Sequence, residues 1–85
     1  MATEKYTCPC CGYKTLDKEP PGTNLICEIC FWEDDYGQFL YPDEEGGANV
    51  YSLRQGQDKF QNGINVNRQP TEHDVRDPNW KPLSG

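Results

Sequence analysis

The chain has 85 residues, 34% of them hydrophobic, with a mean hydropathy of −0.94 and a net charge of −6. A chain of this length forms one domain at most, and a domain this small buries only about 60% of the surface that its unfolded chain exposes. Fourteen acidic residues against eight basic ones disfavour nucleic-acid binding, which depends on lysine and arginine to neutralise phosphates.

The beginning of the chain, residues 1–7, lacks the apolar segment that is typical of a secretory signal. Elsewhere, no apolar segment approaches the roughly 20 residues that cross a membrane. We therefore expect a cytoplasmic protein without a membrane partner. In that reducing compartment, cysteines at such spacing more often bind metal than form disulfides.

Two CxxC pairs dominate the first third of the chain, with fifteen residues between them. This spacing is typical of a zinc site, and an odd total of five cysteines argues against a framework made only of disulfides. Zinc prefers four thiolates in a tetrahedron, and a small domain needs such a staple because its apolar core is limited. We predict one structural zinc ion with four ligands: Cys8, Cys11, Cys27 and Cys30.

Each CxxC pair predicts a tight turn, here called a knuckle, and each knuckle is expected to be accompanied by a short β-hairpin. In the first knuckle, residues 8–12, Pro9 restricts φ and Gly12 can adopt the positive φ that closes the turn. The second knuckle, residues 27–31, has neither residue, and we expect Phe31 to pack inward there.

Iron is the less favoured metal. Four thiolates on two CxxC units also describe rubredoxin sites. Rubredoxins, however, have a longer spacer than fifteen residues and a glycine after the second pair as well, so zinc is preferred.

Catalysis is not indicated by any group of residues. Four protein ligands leave no coordination position for water or substrate, and the one histidine, His73, lies in a polar segment. Whether the protein is an enzyme stays open, and a non-enzymatic role is favoured.

Cys10 lies inside the first CxxC pair and is the surplus cysteine. Three interpretations stay open: a small buried residue, an alternative ligand that exchanges with Cys8 or Cys11, and a reactive thiol. The last would support a redox function based on Cys10 or on a CxxC pair.

An acidic and glycine-rich segment, residues 33–51, follows the second pair. Its bulky side chains, at Tyr36, Phe39, Leu40 and Tyr41, are expected to pack onto the metal module. Acidic clusters are usually solvated, but they also suit a basic protein partner. The predicted partner surface consists of Trp32, Glu33, Asp34, Asp35, Asp43, Glu44 and Glu45.

Ser52 and Gln55 form the pattern of a capping box, which predicts a helix over residues 53–62. Gly63 then supplies a left-handed stop. Gly56 lies within this helix, where it either permits close backbone approach or only weakens the helix.

The remaining chain is polar and contains three prolines. We predict a domain over residues 1–65 and a flexible or loosely docked tail over residues 66–85. Trp80 in this tail either anchors a partner or docks back onto the metal module.

Three motifs in order, CPCCGY at residues 8–13, CFWEDD at residues 30–35 and GGAN at residues 46–49, resemble the bacterial cysteine-rich CPCC family. The resemblance covers residues 6–63, and the tail lies outside it. It implies a small zinc-binding module with the same four ligands and with Cys10 as the family's extra cysteine. It carries no biochemical activity with it.

Together these observations predict a small metal-stabilised α+β fold. Zinc-ribbon-like or rubredoxin-like knuckles with short hairpins precede one helix and a mostly irregular tail. The favoured function is a zinc-stabilised interaction or adaptor module for a protein partner. The alternatives are a thiol redox protein and, disfavoured by charge, a nucleic-acid-binding zinc ribbon.

Overall fold

The structure, a computed structural model, describes residues 5–83. Within this range the chain forms two short strands and two helices: β1 (Tyr6–Thr7), β2 (Lys14–Leu16), α1 (Tyr36–Leu40) and α2 (Leu53–Gln61). Turns and loops make up the rest, so the predicted small α+β fold is confirmed, and most of it is irregular. None of the helices in the described range is long and apolar enough to span a membrane.

Each knuckle lies at the tip of a hairpin. Strands β1 and β2 pair antiparallel on either side of the first knuckle, with an irregularity between the two residue pairs. An isolated antiparallel bridge between Ile26 and Glu33 flanks the second knuckle in the same way. The two short hairpins expected from the CxxC pairs are therefore present.

The predicted capping box begins α2. The Ser52 hydroxyl accepts the N–H of Gln55 at 3.1 Å, and the Gln55 side chain accepts the N–H of Ser52 at 2.9 Å. The helix ends at Gln61, and Gly63 adopts a φ of +74°. The helix prediction is confirmed to within one residue at its end.

Helix α1 was not predicted, and the bulky side chains in and beside it that were expected to pack onto the metal module are not buried. Tyr36, Phe39, Leu40 and Tyr41 are all exposed. The side chain that faces inward is Gln38, which is buried. Asp35 stabilises the start of the helix, because its carboxylate accepts the N–H groups of Gly37 and Gln38.

Gln38 holds the acidic segment through polar bonds. Its Nε2 donates to the carbonyl groups of Glu44, Asn49 and Tyr51 at 3.0–3.1 Å. Its Oε1 accepts the backbone and side-chain N–H groups of Asn49. Asn49 in turn exchanges two hydrogen bonds with the backbone of Glu33. Every polar atom of the Gln38 amide is thus bonded, which buried amides require.

The apolar core is small and rich in sulfur. Among the described residues its buried members are the five cysteines with four other side chains, namely Leu16, Ile29, Trp32 and Leu53. Tyr13, Leu25, Tyr51 and Phe60 pack against this cluster from outside. So few aliphatic and aromatic groups contribute only a small hydrophobic stabilisation. Small domains commonly use a metal ion for this reason.

The described part of the tail lies against both knuckles. Asn67 donates its N–H to the carbonyl of Ile29 at 2.7 Å, and Asp77 donates to that of Gly12 at 2.8 Å. The division into residues 1–65 and residues 66–85 stays a prediction.

Gly56 permits close packing of α2 on the core. A Cβ at this position would lie 3.0 Å from Cε2 of Tyr51, 3.2 Å from Sγ of Cys10 and 3.2 Å from Cε3 of Trp32. The first of the two interpretations, close backbone approach, is therefore confirmed.

We expect Gly56→Ala to lower the free energy of unfolding by about 1 kcal/mol, because overpacking outweighs the gain in helix propensity. Urea unfolding of the metal-loaded protein measures the difference. Gln61→Ala, at an exposed position of the same helix, is the control and should change stability by less than about 0.5 kcal/mol. A clear increase in the stability of Gly56→Ala would show that the space around Gly56 is not limiting.

Candidate metal centre

The structure brings together the four predicted ligands. The Sγ atoms of Cys8, Cys11, Cys27 and Cys30 all lie within 4.8 Å of one another, and all four residues are fully buried. The Cys8–Cys30 and Cys11–Cys27 sulfur distances are 3.6 and 3.7 Å. Sulfurs that are about 2.3 Å from one tetrahedral ion are about 3.8 Å apart. The cluster could therefore hold a metal ion with little movement.

The two knuckles share one backbone pattern. In each, the residue after the second cysteine donates its N–H to the carbonyl of the first cysteine: Gly12 to Cys8 at 2.9 Å, and Phe31 to Cys27 at 2.8 Å. In each, the N–H of the first cysteine donates back across the hairpin at 2.9 Å. This repetition turns both sulfur pairs toward the same centre.

The shared turn also requires a positive φ after the second cysteine. Gly12 has a φ of +81°, as predicted, and Phe31 has a φ of +66°. The expectation that Phe31 packs inward is wrong, because its side chain is 61% exposed. The turn determines the direction of this side chain, and the left-handed conformation costs a non-glycine residue about 1–2 kcal/mol.

Contacts within the cluster shift the pKa values of Cys27 and Cys8 in opposite directions. Hydrogen bonds from Cys11, then from Cys30 and Cys8, lower the pKa of Cys27, and the Thr15 hydroxyl adds a bond at 3.0 Å. The interaction with Cys11 raises the pKa of Cys8. A metal ion that binds here must displace the protons of the thiols.

Cys10 does not belong to the group of four. It is 2% exposed, and its Sγ packs against Gly56 of α2. A hydrogen bond from Cys10 is the largest influence that raises the pKa of Cys30. Burial favours the interpretation of Cys10 as a small packed residue over that of an accessible reactive thiol.

Part of the predicted partner surface is wrong because two of its members are core residues. Trp32 is 1% exposed and Asp34 is fully buried. The Oδ2 atom of Asp34 accepts the N–H and hydroxyl of Thr23 at 2.9 and 2.7 Å. Asp35 caps α1 and also accepts the N–H of Ala48, which lowers the pKa of its carboxyl group.

The remaining members of that surface are more accessible. Asp43, Glu44 and Glu45 are exposed, and Glu33 is half-buried. Asp43 forms an ion pair with Arg54 at 2.6 Å, and Glu45 accepts a hydrogen bond from Gln55. The accessible members of the predicted surface are therefore acidic, and three of them lie together at residues 43–45.

Sequence reasoning did not assign the residues that cover the first knuckle. Trp80 lies directly on Gly12 and donates its Nε1–H to the carbonyl of Pro9 at 3.0 Å. The guanidinium of Arg76 lies 5.2 Å from the Trp80 ring and 5.4 Å from the Tyr13 ring. The available signal was a tryptophan isolated in a polar segment, and of its two interpretations the structure shows docking.

A comparison with known protein families agrees with this arrangement. The sequence model of the family described as Cysteine-rich CPCC matches residues 6–81. The chain belongs to the cysteine-rich CPCC family. The expected end of the resemblance at residue 63 was too early, because the family match includes the segment with Arg76 and Trp80. No curated protein gives a significant match to this CPCC protein.

The two knuckles provide a matched pair of substitutions. We expect Gly12→Ala to lower the free energy of unfolding by about 2–4 kcal/mol, because its Cβ would lie 2.5 Å from Cε3 of Trp80 in a left-handed backbone. Phe31→Gly should raise it by up to about 1 kcal/mol, since relief of the left-handed strain exceeds the entropy that glycine loses on folding.

Urea unfolding of both variants in the metal-loaded state measures these effects. A loss of stability in Phe31→Gly comparable to that in Gly12→Ala would contradict the assignment of Phe31 as an exposed side chain in a strained turn.

Proposed function

We propose that this CPCC protein binds one zinc ion through Cys8, Cys11, Cys27 and Cys30, and that the ion stabilises the fold. The observation that carries the proposal is the buried group of four sulfurs within 4.8 Å of one another. Zinc would supply a tetrahedral centre that joins the two hairpins. The protein would supply thiolates from two similar turns.

Zinc is preferred to iron on the basis of the fifteen-residue spacer and the phenylalanine after the second pair. Thiolate sites suit both metals, so the donor atoms alone do not decide. All five cysteines are free, which suits a reducing compartment such as the cytoplasm.

A structural role follows from the closed ligand set. Four buried thiolates occupy every position of a tetrahedral ion, so no position remains for water or substrate. Structural zinc in small domains contributes about 10–16 kcal/mol of apparent binding energy at neutral pH. That is comparable to the whole stability of a typical domain, about 5–15 kcal/mol.

We further propose that the stabilised module binds a protein partner. A net charge of −6 and an exposed acidic loop suit a basic partner, and several large apolar side chains are exposed as well. The redox alternative is not favoured, because all five thiols are buried. The nucleic-acid alternative is not favoured, because acidic residues predominate.

Removal of the metal should unfold the protein. We expect a strong chelator to abolish the near-ultraviolet circular dichroism of the tyrosine and tryptophan side chains, and added zinc to restore it. Acidification should release the ion as well, because protons compete for the thiolates. A chelated protein that is free of metal and keeps its spectrum would contradict the structural role.

Single serine substitutions separate the ligands from the surplus cysteine. We expect Cys8→Ser, Cys11→Ser, Cys27→Ser and Cys30→Ser each to weaken zinc binding strongly, since each removes one of four thiolates. Cys10→Ser, the matched control, should keep one zinc ion per chain. Zinc content by elemental analysis measures both outcomes, and loss of zinc from the control would show that Cys10 is itself a ligand.

A further inference from the structure

Phe31 combines an exposed aromatic side chain with a backbone conformation that disfavours it. The equivalent position of the first knuckle is occupied by Gly12, which adopts the same turn without steric conflict. A bulky residue that is held in such a conformation while 61% exposed contributes little to the core. Strained residues of this kind concentrate at binding sites, where the surrounding structure holds them in place.

Phe31 stands at one end of an apolar groove. Phe31, Tyr51, Ile64 and Val66 line a depression of about 370 Å³. An adjoining depression of about 540 Å³ shares Tyr51 and Ile64 and continues to Val50. Val50 is 86% exposed and Ile64 is 65% exposed. The two depressions form one continuous surface, named here the Phe31–Val50 groove.

Contacts with the core and backbone hydrogen bonds order the residues that line the groove. The Tyr51 ring lies 6.0 Å from the ring of the core residue Trp32. Ile64 donates its N–H to the carbonyl of Lys59 at 2.8 Å, and Val50 accepts the N–H of Gly46 at 3.1 Å. A surface that is already ordered loses less entropy when a partner binds.

The charges around the groove are mainly negative. Glu45 and Asp58 are among its lining residues. Lys59 is the basic residue among the described residues that line it, and its Nζ lies 5.9 Å from the Tyr51 ring. With a net charge of −6 for the whole chain, this rim favours a positively charged occupant.

The groove is too open for a small ligand. Small-molecule sites bury about 70–90% of their ligand, whereas the walls here are themselves largely exposed. A polypeptide segment can cover such a surface, with apolar side chains beside Phe31 and Ile64 and basic ones at the rim. Apolar surface surrounded by polar groups is typical of interaction sites between proteins.

We propose that the Phe31–Val50 groove docks a basic, apolar-containing segment of a partner protein. This inference rests on the proposed interaction role and assigns its surface and the chemistry of its partner. The groove does not include Trp32 or Asp34, the buried residues that the sequence had assigned to the partner surface.

The test uses the zinc-loaded protein and short synthetic peptide libraries rich in Lys, Arg, Leu and Phe. Matched libraries replace the basic residues with Glu, or the apolar residues with Ser. Fluorescence anisotropy measures binding, and backbone amide NMR shifts locate it. We expect binding of the basic apolar library alone, weaker binding at high salt, and the largest shifts at Phe31, Val50 and Ile64.

The variants separate the apolar from the charged contribution. The double variant Phe31→Gly with Ile64→Ser should bind at least about tenfold more weakly, as expected when central apolar contacts are lost. Asp58→Asn with Glu45→Gln should reduce the salt dependence. Tyr41→Ser, at a similarly exposed position that does not line the groove, should bind like the wild type. Val50→Ser repeats the apolar test if the double variant loses zinc.

The failures of the two proposals are distinguishable. Peptide binding that the apolar variants leave unchanged would overturn the groove and leave the interaction role intact. No binding of any library to the zinc-loaded wild type would overturn both. A dimer in sedimentation experiments that the double variant abolishes would make a second copy of this chain the occupant, and the assignment of a basic partner would be wrong.

Discussion

The rest of the structure depends on the contact between four sulfur atoms from two distant turns. Their residues are fully buried, and they occupy the place that aliphatic side chains fill in a larger domain. Contacts with Cys11 and the other sulfurs lower the pKa of Cys27 and raise that of Cys8, and the hydrogen bond with Cys10 is the largest influence that raises the pKa of Cys30. A metal ion that replaces the thiol protons would bind all four sulfurs and so link the two hairpins.

Away from the sulfurs, polar side chains that bond to the backbone replace apolar packing. Gln38 binds three carbonyl groups of the acidic segment, and Asp35 accepts three backbone N–H groups. The Pro9 carbonyl accepts hydrogen bonds from both Gln57 and Trp80. This pattern suits a chain with few hydrophobic residues, because each such bond orders a loop without a large buried surface. It leaves many apolar side chains on the surface, and the proposed docking role would use them.

The sequence predicts those parts of the fold whose geometry follows from local chemistry. Each CxxC turn, the capping box at Ser52 and the positive φ of Gly12 depend on a few neighbouring residues, and the spacing of the two turns is typical of one shared metal site. Helix α1 has five residues, and the side chain that it buries is a glutamine. Its sequence therefore lacks the helical periodicity of apolar residues that would predict it. Phe31 adopts the same turn as Gly12 only because the second knuckle repeats the first. A phenylalanine at that position instead favours the prediction of a buried side chain. The position of Trp80 depends on a contact with Pro9 across 71 residues, which local patterns do not show.

Zinc K-edge X-ray absorption of the protein purified from cells tests the closed four-sulfur site most directly. It reports the element, the ligand atoms and their distances without any substitution. We expect four sulfur atoms at about 2.3 Å from zinc and no nitrogen or oxygen ligand. A folded protein without metal, or a zinc shell with fewer than four sulfurs and a bound water, would contradict the structural site.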